Sequence, residues 1–163
     1  LGSGVTFPAG HLIQVVNHKT TTRGSAAITG ANPAYDTGAS FTTFNFTPHK
    51  ASSKLLLSST TINVQQSVNA GDNPWLCASH GTTLIGSVLS YISYNHWNGA
   101  KDATFVSFNH LFNSWGTTQQ TIDIRFGCNQ TETIKCNAPS STSYDHVPTG
   151  YHEQCFTIME IAQ

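Results

Sequence analysis

Three groups of residues in this 163-residue chain have the types to do chemistry. Cys77-Ala78-Ser79-His80 and His152-Glu153-Gln154-Cys155 each hold a thiol and an imidazole three positions apart, a spacing that occurs in tetrahedral zinc sites. Within a strand, residues three apart point to opposite faces, so each pair converges only through a turn or bulge. The alternative is one buried thiol and one exposed imidazole in each pair, and neither a metal nor another cofactor is assigned. The second group is the carboxylates Asp72, Asp102, Asp123, Asp145, Glu132, Glu153 and Glu160, too dispersed to nominate a glycosidase pair. There is no Gly-x-Ser-x-Gly elbow, no His-Glu-x-x-His helix and no phosphate-binding Gly-rich loop. An enzyme is therefore the least supported class, and no catalytic residue is nominated. Glu160 stands apart because it lies in an apolar stretch. If buried, it needs a partner such as Arg125, Lys19 or a backbone amide.

The third group is aromatic. Tyr91, Tyr94, His96 and Trp97 precede Asn98-Gly99, a pair suited to a tight turn. Flat rings beside amide and imidazole groups suit sugar rings or a protein epitope, because they offer apolar area at low entropy cost. Trp75, after Asp72-Asn73-Pro74, and Tyr144, Asp145, His146 and Tyr151 can join them at one end of a β fold. The ligand-binding candidates are Tyr94, His96, Trp97, Trp75, Tyr144 and His146. Packing on a sheet is the competing role for Tyr94 and Trp97, whereas Tyr144 and His146 lie in a loop between Pro139 and Pro148.

The elements that must position these residues are strands. In Gln154 to Ala162, Phe156, Ile158 and Ala162 fall on one face and Cys155, Met159 and Ile161 on the other, so neither face suits water. This predicts a central strand that needs a sheet on one side and a second copy of the chain on the other. Phe156, Ile158 and Glu160 are the interface candidates. Thr121 to Cys128 alternates cleanly, with Ile122, Ile124, Phe126 and Cys128 inward and Asp123 and Arg125 outward. Val106, Phe108, His110 and Phe112 make another such face, and Phe41, Thr43, Phe44 and Phe46 flank a third. Further strands are expected at 12–19, 54–66, 75–79, 90–97 and 133–137, separated by Gly, Pro, Asn, Asp and Ser. Leu84, Ile85, Val88, Leu89 and Ile92 recur at helical spacing, but Gly86 and the serines between them argue for a strand pair or a single turn. Residues 20–40 and 138–150 are expected to be long loops. Eight or nine short strands predict an all-β antiparallel sandwich of jelly-roll type. Residues 1–10 form a joint or N-terminal arm, and 11–163 a single head domain.

Composition narrows the partners. A net charge of -1, with 9% of residues charged, offers no footprint for a phosphate backbone or an anionic membrane. No run reaches the roughly 18 apolar residues of a membrane helix, so neither nucleic acid nor membrane insertion is expected. The opening Leu1-Gly2-Ser3-Gly4 lacks the regions of a signal peptide and an initiator Met, and reads as part of something longer. The four cysteines permit disulfides without demanding them: Cys128 and Cys136 flank a turn-like stretch and either pair across it or serve as buried thiols. The sequons at Asn45 and Asn129 are read as chance.

Three stretches carry a family resemblance: Gly4-Val5-Thr6-Phe7-Pro8-Ala9-Gly10 with His11 to Asn17, then Phe46-Thr47-Pro48-His49-Lys50-Ala51-Ser52-Ser53-Lys54-Leu55-Leu56-Leu57, then Phe156 to Ala162. In this order they resemble the C-terminal head domains of tail-fibre and other virion proteins of tailed phages, marine ones especially. The resemblance brackets nearly the whole chain but leaves residues 70–150 unmatched. It implies a jelly-roll head, a homotrimer at a fibre tip, joined through its N-terminus to the rest of the virion. It also implies an extracellular position on the virion surface, with host-surface glycan or protein bound through end loops. A capsid-decoration protein, and a secreted trimeric lectin-like or signalling jelly roll, are the alternatives.

Overall fold

A computed structural model describes Thr6 and residues 8–66, 73–89, 103–129, 131–137 and 153–163. Every described element is a strand. In the first half of the chain they are β1 (Leu12–Thr20), β2 (Gly24–Ile28), β3 (Ala39–Phe46), β4 (Lys54–Ser59), β5 (Ile62–Gln66) and β6 (Pro74–His80). The second half supplies β7 (Thr83–Leu89), β8 (Ala103–Val106), β9 (Asn109–Asn113), β10 (Gln120–Cys128), β11 (Glu132–Cys136) and β12 (Gln154–Ile161).

The halves pair in reverse order throughout. β1 lies antiparallel to β12, β2 to β11, β3 to β10, β4 to β9, β5 to β8, and β6 to β7. The chain is thus one long antiparallel ribbon with its apex at the Gly81-Thr82 turn, where Gly81 takes a positive φ of 51°. Lateral pairing of β12 with β4, β11 with β5 and β10 with β6 wraps the ribbon on itself. Three four-stranded sheets result, ordered β1-β12-β4-β9, β3-β10-β6-β7 and β2-β11-β5-β8. Following the ribbon from its open end, it passes the first, third and second sheets, then the same three again.

One core joins all three sheets. Leu55, Leu57, Phe156 and Ile158 come from the first, Leu76, Ile122, Ile124 and Phe126 from the second, and Ile62, Val64 and Ile134 from the third, all fully or almost fully buried. Phe41 meets Phe126 and Phe156 edge-on, with ring centroids 6.5 and 6.3 Å apart. The pairing register skips Phe41, between Ser40 and Thr42 on β3, and Ile85 on β7 in the same way. Each extra residue is apolar and buried, so these bulges turn a side chain into the core instead of wasting it. That shift is why Phe41 and Phe44, three apart, both face inward.

Several expectations are refined. The stretch 54–66 is two strands because the ribbon turns from the first sheet to the third at Thr60, whose N–H donates to Cys155 O at 2.9 Å, beside Ser59 N–H to Phe108 O at 2.8 Å. For the same reason Val106 and Phe112 belong to different strands, β8 and β9. The expected loop 20–40 contains β2, whose small residues Gly24-Ser25-Ala26-Ala27 give no periodic signal. Gly24 is small for a reason: a Cβ there would lie 2.7 Å from the Phe126 ring. The helical spacing around Ile85 belongs to strand β7, and the expected strand 90–97 lies outside the described residues. The last strand is central, as its sequence predicts.

Candidate functional site

Tyr94, His96, Trp97, Tyr144 and His146 lie outside the described residues. Each of the segments carrying them has one end outside the third sheet, at β7 of the second sheet or β12 of the first; their other ends lie at the third sheet, on either side of β5, where Ala103 of β8 opposes Gln65 and Cys136 of β11 opposes Val64. Those attachment points are two strand spacings apart, about 10 Å.

Trp75 is not a surface aromatic. Its side chain is fully buried on the outer face of the second sheet, under residues 29–38. Its Nε1–H donates to Ala31 O at 2.9 Å, and the indole fills a slot where a Cβ on Gly127 or Gly38 would come within 2.4 or 2.5 Å of it. Arg125 anchors the same covering loop, its Nε and guanidinium nitrogen donating to Thr37 O at 2.7 Å and Gly38 O at 2.9 Å, while its other nitrogen pairs with Asp123 at 2.8 Å. Cys77 completes the underside, with Sγ 3.7 Å from Ala34 O, and burial there pushes its thiol up to about 12. His80 points to the other face of β6 and stacks obliquely on Trp115, with centroids 4.6 Å apart. Cys77 and His80 therefore do not converge. No cysteine is in a disulfide, and Cys128 and Cys136 are buried, so of the two readings of that pair the buried thiols hold.

Phe156, Ile158 and Glu160, expected at an interface, face the interior of their own chain and are fully buried. Glu160 is closed in by its own backbone and side-chain donors. The amides of His49 and Lys50 donate to its two carboxylate oxygens at 2.9 and 2.8 Å, Ser53 Oγ–H donates at 2.8 Å and Gln14 Nε2–H at 2.6 Å. Burial pushes this carboxyl up, but hydrogen bonds from His49, Ser53, Gln14 and Lys50 together outweigh it and hold the group below the ordinary carboxylate range. Of the partners the sequence suggests, the backbone amide is the one used.

The opposite face of β12 is where the surface becomes apolar. Pairing aligns Val15, Met159, Leu56 and Leu111 in one row across the four strands of the first sheet, with Leu12 opposite Ile161 in the next. The row on the other side is Asn17, Thr157, Ser58 and Asn109. Leu12, Val15 and Leu111 are 50, 45 and 55% exposed, high for residues of this kind. The second sheet buries Trp75 and Cys77 of its outer face under residues 29–38, whereas no described residue buries Leu12, Val15 or Leu111 on this one.

No family model and no curated protein matches the chain. Among solved structures it is similar to dimeric latent PorU from Porphyromonas gingivalis, at 15% identity and a TM-score of 0.38, over 99% of this chain and 14% of PorU. It is also similar to the VP2 subviral particle of infectious bursal disease virus, at 9% identity and a TM-score of 0.45, over 100% of this chain and 41% of VP2. The Gt strain of that virus gives 10% and 0.45, over 100% and 42%. The chain spans less than half of each of these chains, and nothing about function follows from likeness at this level.

Proposed function

We propose that this chain is a non-enzymatic structural domain of a virion: the jelly-roll head of a tail fibre or related appendage, assembled as a homotrimer and binding a host-surface glycan or protein. The observation that carries this reading is the set of contacts at Glu160. Gln14 comes from the first resembling stretch, His49, Lys50 and Ser53 from the second, and Glu160 from the third. Stretches of apolar residues and turn formers can resemble one another through β-propensity alone. The side-chain donors Gln14 and Ser53, which together with two amides satisfy one buried carboxylate, are more specific, because losing either leaves part of a buried charge unpaired.

The nested pairing, with β1 and β12 at the open end and β6 and β7 at the apex, supports the jelly-roll reading in its winding, since a jelly roll is a long hairpin rolled up, although the roll here closes through three sheets instead of two. The nearness of β8 and β11, at which segments 90–102 and 138–152 each have one end, supports binding through both segments together. Function of this kind is shape and avidity: copies on one axis raise weak single-site binding through effective concentration.

The test is saturable binding of the fluorescently labelled chain to a glycan array and to a panel of bacterial cells. Binding to a restricted set, lost in Trp97→Ala or Tyr144→Ala variants of unchanged circular dichroism, is the expected result. A chain that binds no glycan and no cell, but co-sediments with phage capsids, overturns receptor binding in favour of decoration.

A further inference from the structure

We infer that the outer face of the first sheet, centred on Val15, Leu56, Leu111 and Met159, is the surface on which copies of this chain pack against one another. The inference rests on the assembled-head reading above and names the contact that reading leaves open. It also moves the interface from Phe156, Ile158 and Glu160 to the other side of the same strand.

Four observations lead to a second copy as the occupant. The first is contrast: the second sheet's buried outer residues Trp75 and Cys77 are covered by the chain's own loop, while the first sheet presents a continuous apolar row with no cover among the described residues. The second is charge. On this face the charged side chains are Lys19, paired with Glu153 at 2.7 Å two rows from the central apolar row, and Lys54, which ends the adjoining Leu12–Ile161 row and is bonded to Asn113 on the edge strand. A charge at the centre of a contact between copies would have to be buried there, and the row Val15, Met159, Leu56 and Leu111 carries none. An anionic membrane would need basic residues there instead.

The third is layout. The apolar row adjoins a row of amides and hydroxyls, Asn17, Thr157, Ser58 and Asn109, the apolar centre and polar rim of a protein–protein contact. The fourth is size. Four strands about 4.8 Å apart, over roughly seven residues of about 3.3 Å each, cover on the order of 450 Å² in projection. Side-chain relief raises the accessible area toward the ~800 Å² that each partner of a stable pair contributes.

The experiment is the solution mass of the full chain by light scattering over a dilution series, for the natural sequence and for Leu111→Asp, Val15→Lys and the control Thr121→Asp. Leu111 lies on an edge strand and Val15 is half exposed, so the two variants disturb the core differently and folding of either suffices. Thr121 is exposed on the outer face of the second sheet. The expected result is an associated natural chain, at least 10-fold weaker association in each face variant with unchanged circular dichroism, and no change in the control. If the chain associates and folded face variants associate equally well, the face is wrong while the assembled-head reading stands. If the natural chain is a monomer at every concentration, both the inference and the trimer fall. Loss of cell or glycan binding in the face variants of a monomeric chain would assign the face to a foreign partner and overturn the second copy.

Discussion

Glu160 is the residue on which the two ends of the chain and its middle depend. Replacing it with Gln keeps the shape, but puts an NH₂ where donors already converge. We expect Glu160→Gln to lose about 2–4 kcal/mol, read as a fall in the denaturant midpoint at unchanged slope. Because its folded-state pKa lies below the unfolded value near 4.5, this carboxylate's contribution is complete above that pH and is lost as pH falls through the folded value. The natural chain should therefore lose stability in that acid range more steeply than the Gln variant, and parallel acid curves would show that other groups dominate. Thiol chemistry gives a second residue-scale check. Cys77, Cys128 and Cys136 are buried and Cys155 is half-buried beside Lys19, so a thiol reagent should label the native chain at Cys155 first and the other three only on unfolding. The sequence made Glu160 conspicuous without identifying its donors, since an amide of a loop some 110 positions away has no signature in residue type. Trp75 was harder still: a Trp after Asn-Pro looks exposed until a distant loop is laid over it.

At the scale of elements, the loop 29–38 and the sheet margins show what holds the layers. Trp75→Ala should cost roughly 3–5 kcal/mol, and amide exchange should accelerate across residues 31–38 before it does in β10. Uniform acceleration throughout would mean the loop is not a separate unit. Histidines close the margins between the first two sheets. His18 of β1 reaches Thr42 Oγ1 of β3 at 2.9 Å and stacks on Phe44 with centroids 4.8 Å apart, while His110 of β9 lies against Gly86 of β7. Burial holds His18 and His80 below the ordinary imidazole value of 6.5. Their neutral forms thus stabilise the fold fully above pH 6.5, and that contribution is lost as pH falls through their folded values. Melting temperature should drop between pH 7 and 5, and by less in a His18→Gln, His80→Gln chain. Strands with bulky alternation, such as β10, were legible in sequence because each inward residue meets the core directly. β2 was not, because its opening Gly24 is dictated by the Phe126 ring above it, and the break at Thr60 was not, because the distant carbonyls of Phe108 and Cys155 hold it.

For the whole molecule, the reversed pairing is the property with the widest reach, and it is invisible to local pattern because each partner is defined from the other end of the chain. β4 is flanked by β12 and β9, so no local hairpin completes the first sheet. Folding dominated by such distant contacts is slow, on the order of milliseconds to seconds, and stopped-flow refolding in the microsecond range would contradict it. The same pairing decides how the fold bears load. The start of β1 and the end of β12 lie side by side, Gly10 N–H donating to Ala162 O and Ala162 N–H to His11 O, each at 2.8 Å. Tension applied across those two points opens the ladder one rung at a time, a compliant direction in which small forces suffice. Tension between the start and the end of β1 instead runs along that strand and shears its rungs to β12 together. A fold held at Gly10 and pulled at Thr20 would be loaded along its stiff direction.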